Sequence, residues 1–103
     1  MTYQTALTAL AEPMRRTLLE RIIKEPRTVG EIAKDLPISA PGVSQHLKVL
    51  REAGLIREER QGTRRIYHAE SAALGELRAY VDEMWRAALG SFSDAAAKDG
   101  KDQ

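Results

Sequence analysis

Residues 39–54 read Ser39-Ala40-Pro41-Gly42-Val43-Ser44-Gln45-His46-Leu47-Lys48-Val49-Leu50-Arg51-Glu52-Ala53-Gly54. Ser39 is a favoured N-cap residue, and Gly54 tolerates the left-handed backbone that closes a helix. Between them, a helix ending near Ala53 puts Val43, Leu47 and Leu50 on one face, since each residue advances about 100°. The opposite face carries Pro41, Gln45, Lys48 and Glu52, with Ser44 on its flank. The outward N-terminal half is therefore compact, polar and uncharged, which suits a helix whose first turns enter the major groove of DNA.

Upstream, Thr28 and Glu31 have the T-x-x-E spacing of a capping box. It predicts a short helix through Leu36, with Val29, Ile32, Ala33 and Leu36 buried, and Pro37-Ile38-Ser39 as a tight connection to the next helix. Two short helices so joined form a helix-turn-helix unit. Before them, Tyr3, Ala6, Leu7 and Leu10 predict a first helix. Glu12-Pro13 then opens a second that runs to about Lys24, with Leu18, Leu19, Ile22 and Ile23 as its apolar stripe. Glu25-Pro26 ends it.

Downstream, residues 55–60 and 64–69 read as two strands around a Gln61-Gly62-Thr63 loop. Arg60, Arg64 and Arg65 flank that turn, so three guanidinium groups gather at a projecting tip, suited to the DNA backbone or minor groove. A last helix is expected from Ser71 to about Ala96, with Leu74, Leu77, Val81, Met84, Ala88 and Phe92 at helical spacing. Tyr80, Trp85 and Leu89 widen this stripe beyond one side of a small core. The fold class is thus mainly α with a small β-hairpin, in a single domain over 1–92. Residues 93–103 have little to bury and are expected to form a flexible tail.

The net charge of +1 hides an uneven distribution. Residues 39–69 hold six basic and three acidic residues, whereas residues 70–103 hold four basic and seven acidic ones. The basic excess sits where the polar helix and the hairpin lie, as phosphate contact requires.

These residues resemble the ArsR-type winged helix-turn-helix repressors. The likeness is carried by residues 39–56 and by Gln61-Gly62-Thr63-Arg64-Arg65-Ile66-Tyr67, and it extends upstream to Ala11-Glu12-Pro13-Met14-Arg15-Arg16. It covers about residues 3–92. It implies a homodimer built from the first and last helices, two recognition helices on successive major grooves of double-stranded DNA, and repression by promoter occupancy, relieved when a ligand binds. The expected DNA-contacting set is Ser39, Ala40, Pro41, Ser44, Gln45, His46, Lys48, Arg51, Arg60, Gly62, Arg64 and Arg65. Gln45 is suited to an adenine edge, while Ser39, Lys48 and Arg51 are suited to phosphates. The expected dimer interface is Tyr3, Leu7, Leu10, Tyr80, Met84, Trp85, Leu89 and Phe92, whose aromatic residues are typical anchors.

Many relatives of this type sense metals, but this chain has no cysteine, and its last helix offers Asp82 and Glu83 without histidine. Soft and borderline metals want thiolate or imidazole ligands, so no metal or cofactor is expected. An organic inducer between the last helices and repression without one both fit such a chain. His46, on the flank of the recognition helix, reads as structural or phosphate-adjacent, and His68 as a packed hairpin residue.

Catalysis is not expected. There is no thiol nucleophile or glycine-rich phosphate loop, and Ser44 and His46, two apart on a helix, diverge. No signal peptide or membrane span is evident, so a cytoplasmic location is expected. The alternative function is a winged-helix module for protein–protein assembly without DNA binding.

Overall fold

The computed structural model describes residues 3–101, with side chains through Phe92. Seven elements follow in order: α1 (Tyr3–Leu10), α2 (Pro13–Lys24), α3 (Val29–Ala33), α4 (Ala40–Glu52), β1 (Ile56–Gln61), β2 (Arg64–Ala69) and α5 (Ser71–Lys101). The predicted helix-turn-helix and hairpin are both present, in the predicted order.

Helix starts follow local chemistry. The Glu12 side chain accepts from the Arg15 amide at the start of α2. At α3 the capping box closes in both directions: Thr28 Oγ1 accepts from the Glu31 amide, and Glu31 Oε1 accepts from the Thr28 amide. Ser39 Oγ accepts from the Gly42 amide at the start of α4.

The end of α4 is equally well specified. Gly54 takes φ 77°. Its amide donates to the Arg51 carbonyl and the Leu55 amide donates to the Leu50 carbonyl, each at 3.0 Å. This is a Schellman closure, with Leu50 and Leu55 both buried beside it.

α3 stops at Ala33, three residues short of the expected Leu36. Lys34 leaves the helix at φ −56°, ψ 130°, Asp35 takes φ 64°, and the Leu36 amide donates to the Ala33 carbonyl. These are the angles and the bond of a type II turn, with Asp in the place glycine usually holds. Arg21 of α2 stabilises the break by donating to the carbonyls of Ile32, at 3.1 Å, and Lys34, at 2.6 Å.

The hairpin loop is also shorter than expected. Gln61 pairs with Arg64, leaving Gly62-Thr63 as a two-residue turn with φ 64° at Gly62. Positive φ at the first central position alone is the type II′ pattern, whose twist matches the strands. β1 accordingly starts at Ile56 and takes in Gln61, and α5 runs to Lys101 where an end near Ala96 was expected. Of the expected flexible tail over 93–103, the backbone to Lys101 belongs to α5, while its side chains and residues 102–103 lie outside the described residues.

One core serves all the elements. Leu18, Leu19 and Ile22 of α2, Ile32 of α3 and Val43, Leu47 and Leu50 of α4 meet Leu55, Ile56 and Tyr67 of the hairpin segment, and Ala6, Ala9, Ala53 and Ala73 complete the cluster. The hairpin is tied to the helices by backbone as well. Arg27, just before α3, exchanges amide–carbonyl bonds of 3.2 and 2.8 Å with Tyr67 on β2. This bridge ties the middle of β2 to the segment that leads into α3. No helix among the described residues is long and apolar enough to cross a membrane.

Candidate nucleic-acid interface

The buried stripe of α4 consists of Val43, Leu47 and Leu50, as its spacing predicts. Burying that stripe turns Pro41, Ser44, Gln45 and Lys48 outward, and all four are exposed. The side chains of Ser44 and Gln45 make no hydrogen bond to any described residue, so their donors and acceptors face solvent. An open groove runs from this helix to the hairpin, lined by Val29, Pro41, Ser44, Gln45, Lys48, Arg51, Glu58, Arg65 and Tyr67. Recognition helix and wing thus share one concave surface.

Strand register sorts the wing residues by face. Directly opposed residues project to the same side, and alternate pairs share it. Glu58↔Tyr67 and Arg60↔Arg65 therefore fall on one face, and Gln61↔Arg64 on the other. Gly62 occupies the tip between them. Arg60, Arg64 and Arg65 are all exposed.

Several of these cations already have partners within the chain. Glu58 Oε2 lies 2.8 Å from Arg51 Nη1, and Glu58 Oε1 lies 3.4 Å from Arg65 Nε. The Tyr67 hydroxyl also donates to Glu58 Oε2, at 3.4 Å. Burial first, then the neighbouring Glu58 carboxylate, holds the Tyr67 phenol above its usual pKa. Arg64 Nη2 lies 3.4 Å from Glu31 Oε1, the carboxylate that caps α3. Lys48 and Arg60 make no ion pair with a described residue.

His46 is placed differently from the rest of the expected contact set. It is half-buried, and its Nδ1 stands 3.3 Å from Arg15 Nη1. Arginine only donates, so this contact is a hydrogen bond when Nδ1 carries no proton. Arg15 Nε also donates to the Ala9 carbonyl at 2.6 Å, and Arg16 donates to the Leu10 carbonyl at 2.6 Å. Through Arg15, the end of α1 is connected to the recognition helix. His46 thus contacts α2 from within the chain. His68, on the wing, lies with Nε2 3.0 Å from Glu59 Oε2.

Three features of this face escaped the sequence reading. Glu58, one of the three acidic residues of segment 39–69, gathers two arginines. Arg15 had no assigned role. Gly42 admits a close approach, since a Cβ there would stand 2.9 Å from Ile38 Cγ1. Its spacing from Ser39 was visible, but no local signal points to Ile38 as the neighbour.

The expected dimer residues divide into two groups. Tyr3 and Tyr80 stack on each other within the chain, with centroids 4.2 Å apart and planes 12° from parallel, and Leu10 packs against the core. Leu7, Met84, Trp85, Leu89 and Phe92 are exposed, Trp85 to 62% and Phe92 to 67%. Val81, at 48%, joins them. The eight residues of α1 cover only the start of α5, and the apolar stripe continues past them. Among the described residues, no group of three His, Cys, Asp or Glu side chains is placed to hold a metal ion.

Comparison with known proteins agrees with this geometry. A family model described as a helix-turn-helix domain matches residues 10–59. The HTH-type transcriptional regulator Rv2034 of Mycobacterium tuberculosis is 44% identical over 94 residues, covering 91% of this chain and 88% of the relative. The HTH-type transcriptional repressor SmtB of the same species is 39% identical over 71 residues, 69% of this chain and 53% of the relative. Among solved structures, an ArsR family transcriptional regulator superposes with a TM-score of 0.74 at 31% identity, covering 81% of this chain and 86% of that one. Fold and family are those of regulators and not of enzymes. With an exposed polar recognition helix beside an arginine-rich wing, the chain belongs to the ArsR family of winged helix-turn-helix, DNA-binding transcriptional regulators.

Proposed function

We propose that the protein is a homodimeric, cytoplasmic repressor that occupies a palindromic operator in promoter DNA. The observation that carries this reading is the shared groove of α4 and the wing, where Ser44 and Gln45 offer unengaged polar groups beside Lys48, Arg51 and Arg65. α4 enters the major groove N-terminus first. Gln45 pairs with an adenine edge, and Ser44 donates to or accepts from a neighbouring base. Ser39, Ala40 and Pro41 approach the backbone at the start of the helix. Lys48 and Arg51 take phosphates, and Arg60, Gly62, Arg64 and Arg65 carry the wing along the flanking backbone or minor groove.

A second copy covers the exposed stripe of Leu7, Met84, Trp85, Leu89 and Phe92. An isologous two-fold pair places two recognition helices about one helical turn apart, which is why the operator is palindromic. Repression follows from occupying the promoter, and the relative named as a repressor supports that sign. A small organic inducer acting between the paired last helices fits the absence of cysteine from the chain.

Titrating the purified protein onto its own upstream promoter DNA at two salt concentrations tests this reading. Binding that weakens steeply with salt, and is stronger than to unrelated DNA, is expected. Weak binding indifferent to both salt and sequence would instead favour a protein-assembly module.

A further inference from the structure

We propose that Glu58 is an internal counter-anion of the DNA-binding face, competing with DNA phosphate for Arg51 and Arg65. This rests on the DNA-binding reading and adds a residue outside the expected contact set. The geometry is specific. One carboxylate reaches Arg51, from the last turn of α4, with one oxygen and Arg65, from β2, with the other, at 2.8 and 3.4 Å. Both arginines line the groove, one from α4 and one from β2, and Glu58 bridges them. Its side chain is only 18% exposed, while Arg51 and Arg65 are 47% and 55% exposed. The Tyr67 hydroxyl fixes it from a third side.

Glu58 is thus held by the fold, whereas the arginine heads remain open to solvent. A phosphate arriving at the groove meets two guanidinium groups that share one negative partner. The trio presents a net charge of one where two would otherwise stand. Damping this sequence-independent attraction leaves the base contacts of Ser44 and Gln45 untouched. A larger share of the binding energy then comes from the bases.

The test is the salt dependence of DNA binding by the full chain, with the wild type beside E58Q and E58D. Each neutralised phosphate contributes a slope of about −0.9 in log affinity against log salt. The isosteric E58Q removes the competing charge, so its slope becomes steeper by about one. It binds both promoter and unrelated DNA roughly fivefold to tenfold more tightly at low salt. E58D keeps the charge and returns the slope toward that of the wild type. A cooperative melt for E58Q shows that the fold is intact. An unchanged slope, or weaker binding by folded E58Q, overturns the proposal and makes Glu58 a structural brace. If the wild type binds no DNA, the underlying reading fails and takes this proposal with it.

Discussion

Arg60 and Arg65 are direct cross-strand partners on the hairpin, two like charges projecting from the same face. Opposed like charges destabilise a strand pair by a few tenths of a kcal/mol to about 1 kcal/mol. Such an arrangement is balanced when an external anion arrives. Arg60→Ala should therefore leave the melting temperature equal or slightly raised, while its DNA binding loses about one unit of salt slope. Calorimetry and salt titration check the two halves. A lowered melting temperature would show Arg60 to be a structural residue.

Gln45 and Arg64 should separate base reading from backbone contact. Gln45→Ala is expected to lose about 1–3 kcal/mol of discrimination at one base position per half-site. Arg64→Ala should weaken binding to all sequences alike. Competition assays over a panel of single-base operator variants distinguish the two patterns. Equal losses across the panel for Gln45→Ala would remove it from the base-reading role.

The α3 capping box has a pH signature. A hydrogen bond from the Thr28 backbone, and then one from its side chain, hold the Glu31 carboxyl below its ordinary value of 4.5. A depressed carboxyl adds stability that is complete above the unfolded value and is lost as pH falls through the folded one. Thr28→Ala should cost about 0.5–2 kcal/mol near neutral pH. The difference from wild type should shrink as pH drops below 4.5. Urea melts across that range would show it, and a gap independent of pH would deny Glu31 its part.

The exposed stripe of α5 should control assembly. Trp85, 62% exposed in the single chain, is the largest candidate anchor. Trp85→Ala is expected to weaken self-association by about 2 kcal/mol or more, since buried aromatic anchors dominate interfaces. Sedimentation over a dilution series reads this directly. A wild-type chain that stays monomeric at high concentration would contradict the proposed dimer.

Most of the helix boundaries were legible because their causes are local. Glu12-Pro13, Thr28 with Glu31, Ser39 and Gly54 each act within a few residues. What escaped depends on segments brought together by folding. The end of α3 is fixed partly by Arg21, which reaches the Ile32 and Lys34 carbonyls from another helix. The wing is anchored by a bridge from Arg27 to Tyr67, forty positions away, which no spacing rule reveals. At the site, exposure of Ser44 and Gln45 followed from helical periodicity. The pairing of Arg51 and Arg65 with one carboxylate required the distance between α4 and the hairpin.

Hydroxyl-radical footprinting of the protein on its own upstream promoter tests the central claim most directly. The account predicts two protected segments related by two-fold symmetry, about one helical turn apart, each flanked by weaker protection from a wing. A single asymmetric footprint, or none at concentrations where the protein is dimeric, would contradict it.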